Sequence, residues 1–288
     1  MMTDRIDLHI HTNVSDGTDS PEQLLENVKK AGIGIFAITD HDEIEGNLAV
    51  RKVLTDQDPK FIPGVEFSCR DREGKYHILG YGFDTSGAGI LDVVQTGHEF
   101  RMGKVRARLD FLKSEFGFDF PKGEIDAILA QRSPGKPHIG NLMVKYGYAP
   151  DKETAIHDYI DKLHFKSAYV EPEFAIKGIL ASGGIPVLAH PSYGSGDQLI
   201  VGQEMEDRVK RLMGFGLAGL ETFYSGFSDK LRHEILSLAE KYDLYVTAGS
   251  DYHGHNKMVI LGDTGLHKTS KLPKGMVKFL KDMKVYEG

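Results

Sequence analysis

Short, uninterrupted apolar runs recur along the chain and are separated by amphipathic stretches. An apolar run without alternation predicts a strand that is covered on both faces, as the strands of a parallel sheet are. The amphipathic stretches, whose apolar residues repeat every three or four positions, predict helices that cover the sheet. Seven strands are predicted in this way, around residues 6–11 and over 33–38, 61–69, 76–81, 185–189, 217–223 and 244–249.

Most connections between these strands are long enough to hold a helix. Ser20 and Pro21 are typical of a helix N-terminus, and this first helix should extend towards Gly32. The connection after residue 69 contains only the polar turn 71–74, which is too short for a crossover helix and predicts an antiparallel hairpin. Further helices are predicted at 45–56, 173–182, 203–214, 229–242 and 273–283.

Residues 85–170 differ from the rest, because no strand pattern occurs in them. A charged amphipathic helix over 99–116 is followed by shorter predicted helices at 123–131, 138–146 and 152–163. We therefore divide the chain into a first unit, residues 1–84 plus 171–288, and a helical insertion, residues 85–170. The strand–helix repeats of the first unit predict an α/β fold with a mostly parallel sheet that closes, or nearly closes, into a barrel.

Histidines and acidic residues stand at the ends of several predicted strands. His9 and His11 would project to the same side of an extended strand, and Asp251 and His253 repeat this spacing. The carboxyl ends of barrel strands lie together and carry the functional residues. The residues that we expect to meet there are His9, His11, Asp40, His41, Glu66, His77, His190, Asp251 and His253.

The composition excludes several classes of protein. The chain has 288 residues, of which 40% are hydrophobic, enough for a large globular domain. It shows no apolar segment of signal-peptide or bilayer-spanning length, so we expect a cytoplasmic protein without membrane contact. A formal net charge of −7 argues against an extended nucleic-acid-binding surface. The single cysteine, Cys69, is interpreted as buried and leaves any metal to imidazole and carboxylate ligands.

Five ordered motifs carry a resemblance to a known family. DLHIHT at residues 7–12 with SDG at 15–17, ITDHD at 38–42, GVE at 64–66, AHP at 189–191 and GSDYH at 249–253 are similar to the successive signatures of the PHP (polymerase and histidinol phosphatase) family. The match spans about two hundred residues on both flanks of the insertion. The resemblance implies a distorted (β/α)7 barrel that holds two or three divalent ions, usually manganese, zinc or iron.

The resemblance also implies which residues bind the ions. The implied ligand sets are His9, His11 and Asp251 for a first ion, Glu66 as a bridge with His77 and His190 for a second, and Asp16, His41 and His253 for a third. An imidazole-rich shell favours zinc, iron or manganese over calcium or magnesium. Asp40 should accept a hydrogen bond from a ligand imidazole, with direct metal ligation as the alternative. The loop 12–15 should wrap across the ions.

The insertion is expected to supply substrate-binding groups. Its segment 131–138, QRSPGKPH, places Arg132, Lys136 and His138 around a Pro- and Gly-rich loop that opens a helix, which is a typical anion site. In similar PHP proteins a basic residue and a histidine of this loop are associated with the substrate phosphate. This chain has Lys136 where arginine is expected, which puts bidentate phosphate binding in doubt. His138 could instead protonate the leaving oxygen, and an ordinary solvated loop is the alternative interpretation.

Several further residues remain open between two interpretations. Arg101, Arg106 and Arg108 lie on the first insertion helix and form either a second phosphate site or, as we favour, its exposed face. Tyr193 could stack on a base or belong to the core. The histidines that fit no ligand spacing are interpreted as surface or helix residues, with His255 as the leading exception; they are His98, His157, His164, His233, His255 and His267.

Charge counting indicates the substrate class. Three dications against three ligand carboxylates leave roughly three positive charges, which a phosphate ester can meet. We therefore predict a metal-dependent phosphoesterase in which a metal-bridged hydroxide attacks phosphorus in line. The expected substrate is a nucleoside phosphate or the terminal nucleotide of a short oligonucleotide. Alternatives are a histidinol-phosphatase-like enzyme, an amide or lactone hydrolase, and a noncatalytic metal-binding module.

Overall fold

The computed structural model describes residues 5–163, 169–194, 198–266 and 271–285, and it is a mixed α/β fold built on one seven-stranded sheet. The strands follow one another in chain order across the sheet. Their bounds are β1 Arg5–Asp7, β2 Ile33–Ile38, β3 Lys60–Asp71, β4 Gly74–Tyr81, β5 Ile185–Leu188, β6 Gly219–Tyr224 and β7 Tyr245–Gly249.

All neighbouring strands run parallel except those beside β4. This strand pairs antiparallel with both β3 and β5, so the predicted hairpin is confirmed. The register sets Glu66 opposite Leu79 and Ser68 opposite His77. As a consequence the N-terminal part of β4 lies at the sheet edge where the parallel strands end, and His77 comes close to Glu66.

The two outer ends of the sheet approach each other just beyond β1 and β7. The amide of Leu8 donates to Ala248 O over 2.8 Å, and the amide of Asp251 donates to His9 O over 2.8 Å. Ile10 and Tyr252 form an isolated parallel bridge. The opening strand is therefore shorter than predicted, and residues 8–11 reach β7 through backbone hydrogen bonds outside the regular ladder.

Ten α-helices occur in the described residues, and most follow the predicted positions. Ser20 caps α1, because its side chain accepts from the amide of Gln23 and the Gln23 side chain accepts from the amide of Ser20. The helices are α1 Pro21–Lys30, α2 Glu45–Arg51, α3 Ala88–Phe116, α4 Lys122–Leu129, α5 Lys136–Lys145, α6 Lys152–Thr154, α7 Pro172–Ala181, α8 Gly202–Met213, α9 Asp229–Lys241 and α10 Lys274–Asp282.

Three predicted helices have different limits. Helix α3 begins eleven residues before the predicted start, because Ile90 and Val93 on its first turns are buried in the main core beside α7. Helix α2 ends at Arg51, and Asp58 then accepts two hydrogen bonds from Thr55 in a turn. The region predicted as a helix over 152–163 is a short α6 followed by a π-helical turn, Ala155–Tyr159, and a 3-10 turn, Ile160–Lys162.

The buried hydrophobic residues of the described chain form three clusters, and the main one also includes Ile90 and Val93 of α3. The main cluster joins the sheet to α7, α8, α9 and α10, and a smaller one lies between α1 and the β2 side of the sheet. A further cluster belongs to the insertion and includes Val105, Leu112, Ile139 and Met143. In the described part of the chain, no helix combines the length and apolar character that a membrane span needs. His164 and His267 lie outside the described residues.

Candidate metal centre

The histidines and carboxylates at the strand ends converge at one edge of the sheet. His9 and His11 follow β1, His41 follows β2, and Asp251 and His253 follow β7. Glu66 lies within β3, His77 within β4, and His190 two residues after β5, while Asp16 comes from the loop before α1. His190 and Asp251 both have positive φ, of 26° and 59°. Such strained backbone is typical of functional sites and turns these side chains towards the edge.

Glu66 is the centre of this arrangement. Its side chain is buried, and its Oε2 lies 3.2 Å from three imidazole nitrogens, those of His9, His11 and His41. Its Oε1 lies 2.8 Å from Nδ1 of His77 and 3.3 Å from Nε2 of His190. One carboxylate therefore faces five imidazoles from four different segments of the chain, the geometry that a bridging ligand requires.

Three groups of potential ligands arise from this convergence. They are His9 with His11 and Asp251, His41 with Glu66 and His77, and His11 with Asp16, His41 and His253. All nine residues of the predicted ligand sets are thus brought together. The grouping differs in detail, because His11 and His41 each belong to two groups and His190 reaches the cluster through Glu66.

Buried nitrogens without hydrogen-bond partners show that this residue set fits metal ions. Four buried side-chain atoms of the cluster make no hydrogen bond: Nε2 of His9, Nε2 of His11, Nδ1 of His41 and Oδ1 of Asp16. A buried polar atom without a partner is costly. Because these atoms converge on shared carboxylates, divalent ions would satisfy them together, whereas hydrogen bonds alone do not.

The carboxylates of the cluster are held in their ionised form. Burial opposes ionisation, but His9, His77 and His41 hold the pKa of Glu66 well below its ordinary value. Burial likewise opposes the ionisation of Asp16, yet His253 and His41 hold its pKa well below the usual range. Both groups are therefore ready to bind cations at neutral pH.

Glu221 supports the cluster and was not predicted from the sequence. Its buried side chain places Oε1 2.8 Å from Nδ1 of His9, and its Oε2 accepts from the amide of His190 over 2.7 Å. This bond leaves Nε2 of His9 to face Glu66 and fixes how the ring is oriented. An acidic residue inside the continuous apolar run of β6 is the feature that could have revealed it.

The role predicted for Asp40 needs correction. Its carboxylate accepts from the amide and the hydroxyl of Thr12 and from the hydroxyl of Ser15, each over 2.7 Å, rather than from an imidazole. The loop after His11 folds back over Asp40 and takes up both oxygens. The hydroxyl of Ser15 then lies 3.5 Å from Nδ1 of His11, so Asp40 acts on the cluster through this loop. Thr12 and Ser15 are both buried beside Asp40.

A cavity of about 280 Å³ opens at the cluster. Among the described residues, its lining contains one lysine, Lys257, besides ligand candidates and the neutral Pro137 and Asn256. Lys257 forms an ion pair with Asp251, and its Nζ lies 3.2 Å from the hydroxyl of Tyr224. The loop that carries it is fixed, because Asn256 donates to Asp16 O and Lys152 donates to Asn256 O. Sequence reasoning missed Lys257, although it lies only four residues after His253.

The three predicted phosphate-binding residues of the insertion loop lie in different environments, and the lining of the cavity includes none of them. Lys136 is turned away from the cavity into an ion pair with Asp161. Arg132 is exposed, and its carbonyl accepts from His98 over 2.7 Å. His138 is half-buried, and its Nδ1 accepts from the amide of Gly135 over 3.0 Å. Burial lowers the pKa of His138, which favours the neutral ring with its proton on Nε2.

The remaining residues singled out in the sequence have different outcomes. Arg101 is not on an exposed face: it is buried and ion-paired with Asp42, while Arg106 is exposed as expected. Tyr193 is exposed at the rim, its ring centroid 6.0 Å from that of His190, and its hydroxyl donates to Gly226 O. His255 is exposed, and its amide donates to Thr18 on another face, so it does not join the cluster. Cys69 is buried as expected.

Comparison with known proteins agrees with the motifs. The PHP domain model matches residues 7–286. A phosphoribosyl 1,2-cyclic phosphate 1,2-diphosphodiesterase of Eggerthella lenta is 30% identical over 86% of this chain and 94% of its own length. A 5'-3' exoribonuclease of Haemophilus influenzae is 27% identical over 88% of this chain and 91% of its own length. A 3',5'-nucleoside bisphosphate phosphatase of Chromobacterium violaceum is 26% identical, with 86% and 87% covered.

The fold is also found among solved structures. A protein from Bifidobacterium adolescentis superposes with a TM-score of 0.82 and covers 97% of this chain and 96% of its own. Its sequence identity of 24% supports a shared fold only. With the family model spanning nearly the whole sequence, the chain belongs to the PHP domain family.

Proposed function

We propose that the protein is a metal-dependent phosphoesterase that hydrolyses a small phosphorylated metabolite, most specifically a nucleoside phosphate or the terminal nucleotide of a short oligonucleotide. The observation that carries this proposal is the carboxylate of Glu66, which faces five imidazoles at the floor of a cavity. The names of the three sequence relatives, all of them enzymes of phosphate esters in nucleotides or related sugars, support the same substrate class.

The centre would hold two or three divalent ions, of manganese, zinc or iron. The ligands would be His9, His11, Asp16, His41, Glu66, His77, His190, Asp251 and His253. When bound, such ions lower the pKa of water to about 7 and neutralise charge on the phosphoryl oxygens. Three dications against the carboxylates of Asp16, Glu66 and Asp251 leave roughly three positive charges for an anionic substrate. The outline of the sheet supports a distorted seven-stranded barrel, with residues 85–170 as a substrate-binding cap.

The chain's own side chains would orient the phosphate. Lys257 lines the cavity and can move its ammonium from Asp251 to a phosphoryl oxygen, since both acceptors would lie within its reach. Asp251 keeps a second partner in the hydroxyl of Tyr224, which lies 2.8 Å from its Oδ2. Lys257 therefore takes the part that sequence reasoning gave to Lys136.

His138, the residue after Pro137 in the cavity lining, would supply a hydrogen-bond donor. The amide of Gly135 occupies its Nδ1, so the Nε2 proton is available to the leaving oxygen or to a phosphoryl oxygen. Asp40 would not contact the substrate or the ions directly, because both of its oxygens accept hydrogen bonds from Thr12 and Ser15. Its part would be to position His11 and Asp16.

A screen of phosphorylated metabolites tests the proposal. Protein loaded with manganese, zinc or iron would be incubated with nucleoside mono- and bisphosphates, short oligonucleotides and histidinol phosphate. We expect release of inorganic phosphate or of a nucleoside monophosphate. Hydrolysis of carboxamides or lactones alone would contradict the phosphoesterase assignment. No turnover at full metal occupancy would instead favour a noncatalytic metal-binding module.

A further inference from the structure

Asn256 connects two candidate ligands of the same ion. Its side-chain amide donates to Asp16 O over 2.8 Å, and its backbone amide donates to His253 O over 3.3 Å. The side chains of these two ligands face each other, with Nε2 of His253 lying 3.2 Å from Oδ1 of Asp16. Because both bonds end on ligand backbones, Asn256 determines where the two ligands lie without being a ligand itself.

The insertion contacts Asn256 through one lysine. Nζ of Lys152 donates to Asn256 O over 2.5 Å, across 104 positions of the sequence. Lys152 is half-buried, and within the described residues this carbonyl is the only polar partner of its ammonium. A charged donor makes a stronger hydrogen bond than a neutral one. Lys152 therefore ties the loop that carries Asn256 to the insertion.

Ser133 makes a second contact between the insertion and a ligand. Its side chain is buried, and its hydroxyl donates to His41 O over 2.5 Å. His41 belongs with Asp16 and His253 to one of the groups of potential ligands, which also includes His11. Each of the three residues implied for the third ion is thus connected to the insertion, either directly or through Asn256.

Both contacts come from one packed unit. Ser133 lies three residues before α5, and the stem of Lys152 lies against α5, because a Cβ on Gly140 would be 3.2 Å from Cγ of Lys152. The segment that follows Lys152 shares a hydrophobic cluster with α5, formed in part by Ile139, Met143, Ala155 and Ile160. The two contacts are therefore expected to form and to break together.

The ligands of the first ion are held by the sheet instead. The amide of Asp251 donates to His9 O over 2.8 Å, and Nδ1 of His9 lies 2.8 Å from Oε1 of Glu221. In the parts of the chain that the structure describes, no group of the insertion makes a hydrogen bond to His9, His11 or Asp251. The insertion thus acts selectively on the ligands of the third ion.

We propose that Lys152 and Ser133 are positioning residues for Asp16, His41 and His253, so that docking of the insertion controls how tightly the third ion is bound. The inference rests on the proposed function and adds a regulation of its metal centre. Because such coupling is reciprocal, binding of the third ion also favours the docked insertion. The other ions stay bound when the insertion is displaced, since the sheet holds their ligands.

A manganese titration of metal-free protein tests the inference. Competition with a chromogenic chelator would give the affinity of each ion, and mass spectrometry would give the number bound. We expect three ions in wild-type protein. Loss of one contact should weaken the third ion roughly 10- to 100-fold in Lys152→Met and in Ser133→Ala, with the other two ions within about twofold of wild type.

Matched variants separate positioning from general damage. Lys162→Met and Ser114→Ala change exposed side chains of the insertion and should leave all three affinities unchanged. Lys152→Arg keeps a charged donor and should recover most of the affinity for the third ion. In protein that already carries Asp16→Ala, which removes a ligand of that ion, Lys152→Met should have no further effect on metal binding.

Hydrogen exchange provides a second measurement. In wild-type protein the amides of residues 131–138 should exchange more slowly once the third ion is bound, and this protection should be lost in Lys152→Met. A purely structural role of Lys152 would change exchange equally with and without metal. Exchange in this segment that does not respond to metal in wild-type protein would contradict the coupling.

The titration also has results that overturn the inference. Wild-type protein that binds only two ions would overturn it, as would unchanged affinities in both Lys152→Met and Ser133→Ala. An equal loss of all ions in these variants would indicate general damage to the centre and would refute selective positioning. If no phosphate ester is hydrolysed, the proposed function fails, but the metal affinities still decide the inference because they do not depend on turnover.

Discussion

Nδ1 of His9 lies 2.8 Å from Oε1 of Glu221, and both side chains are completely buried. The same glutamate accepts from the amide of His190, so it connects the ends of two strands that carry candidate ligands. Gly249 makes this contact possible, because a Cβ there would lie 2.2 Å from Cβ of His9 and 2.4 Å from Oε1 of Glu221. The orientation of the first ligand is therefore fixed by a residue outside the ligand set.

Replacement of Glu221 should weaken metal binding without removing a ligand. In Glu221→Gln the charge that orients His9 is lost while the side-chain volume stays, so we expect metal affinity to fall about 10- to 100-fold. Competition with a chromogenic chelator would measure the change. Glu115→Gln, at an exposed position of α3, is the matched control. Equal affinity in both variants would mean that the His9–Glu221 contact does not support the metal site.

Lys257 and Lys136 should differ in their importance for catalysis. Lys257 lines the cavity, whereas Lys136 is paired with Asp161 on the insertion. We expect Lys257→Gln to lower kcat/KM roughly 10- to 100-fold with unchanged metal content, since it removes one charge-assisted phosphate contact. Lys136→Gln should remain within about twofold of wild type, because exposed ion pairs contribute little. A larger loss of kcat/KM in Lys136→Gln than in Lys257→Gln would indicate that the insertion loop binds the phosphate instead.

The ion pair between Arg101 and Asp42 should fix the insertion to the sheet. Both side chains are largely buried, and Asp42 keeps its pKa below the ordinary value, since Arg101 and Lys104 outweigh the effect of burial. Arg101→Met leaves the Asp42 carboxylate buried and unpaired, which should cost about 3–5 kcal/mol of unfolding free energy. Urea denaturation would measure the loss. Arg106→Met should stay within about 0.5 kcal/mol of wild type, and a similar loss there would exclude the proposed anchoring role.

The lowered pKa of Lys104 should make the unfolding free energy depend on pH. Its folded-state pKa of about 7 is below the ordinary value of 10.5, chiefly because of burial. Between these values the unfolded chain binds the extra proton, so stability should rise with pH across that window. The charged groups around it are Arg101, Asp42, Arg108 and Lys75.

Comparison of variants isolates this effect. Lys104→Met should be more stable than wild type at pH 7, and the difference should shrink towards pH 10, as measured by urea denaturation at each pH. Arg106→Met should differ from wild type by the same amount at both values. A difference between Lys104→Met and wild type that does not depend on pH would show that Lys104 ionises normally in the folded protein.

Much of the fold follows from local pattern. The apolar run 33–38 corresponds to β2 residue for residue, and the short turn 71–74 gives the hairpin, because both depend on neighbouring residues only. The start of α3 could not be predicted, since Ile90 and Val93 are buried by tertiary contact with α7. The family and the mixed α/β class are confirmed, whereas barrel closure, the unit boundaries and a cytoplasmic location stay predictions.

In the candidate site, too, some features follow from local sequence and others depend on tertiary contacts. Most of the predicted ligands converge because strand ends in a parallel sheet share an edge, and their positions at predicted strand ends indicated this. The assignment of ligands to individual ions, and of Asp16 to the set, rested on the family resemblance. Glu221, Lys257 and the partners of Asp40 depend on how separate loops and strands meet, and no local spacing encodes that. Lys136 shows that local composition can also mislead. Its loop has the composition of an anion site, but the side chain of Lys136 is paired with Asp161, twenty-five residues later.

A manganese titration of metal-free protein tests the central claim most directly. Bound metal, measured by mass spectrometry, and phosphate release from a nucleotide substrate would be followed in the same samples. The account predicts no release without metal and a rise in release as two to three ions bind per chain, absent in His9→Ala. Phosphate release that persists in EDTA, or full metal binding without any release, would contradict it.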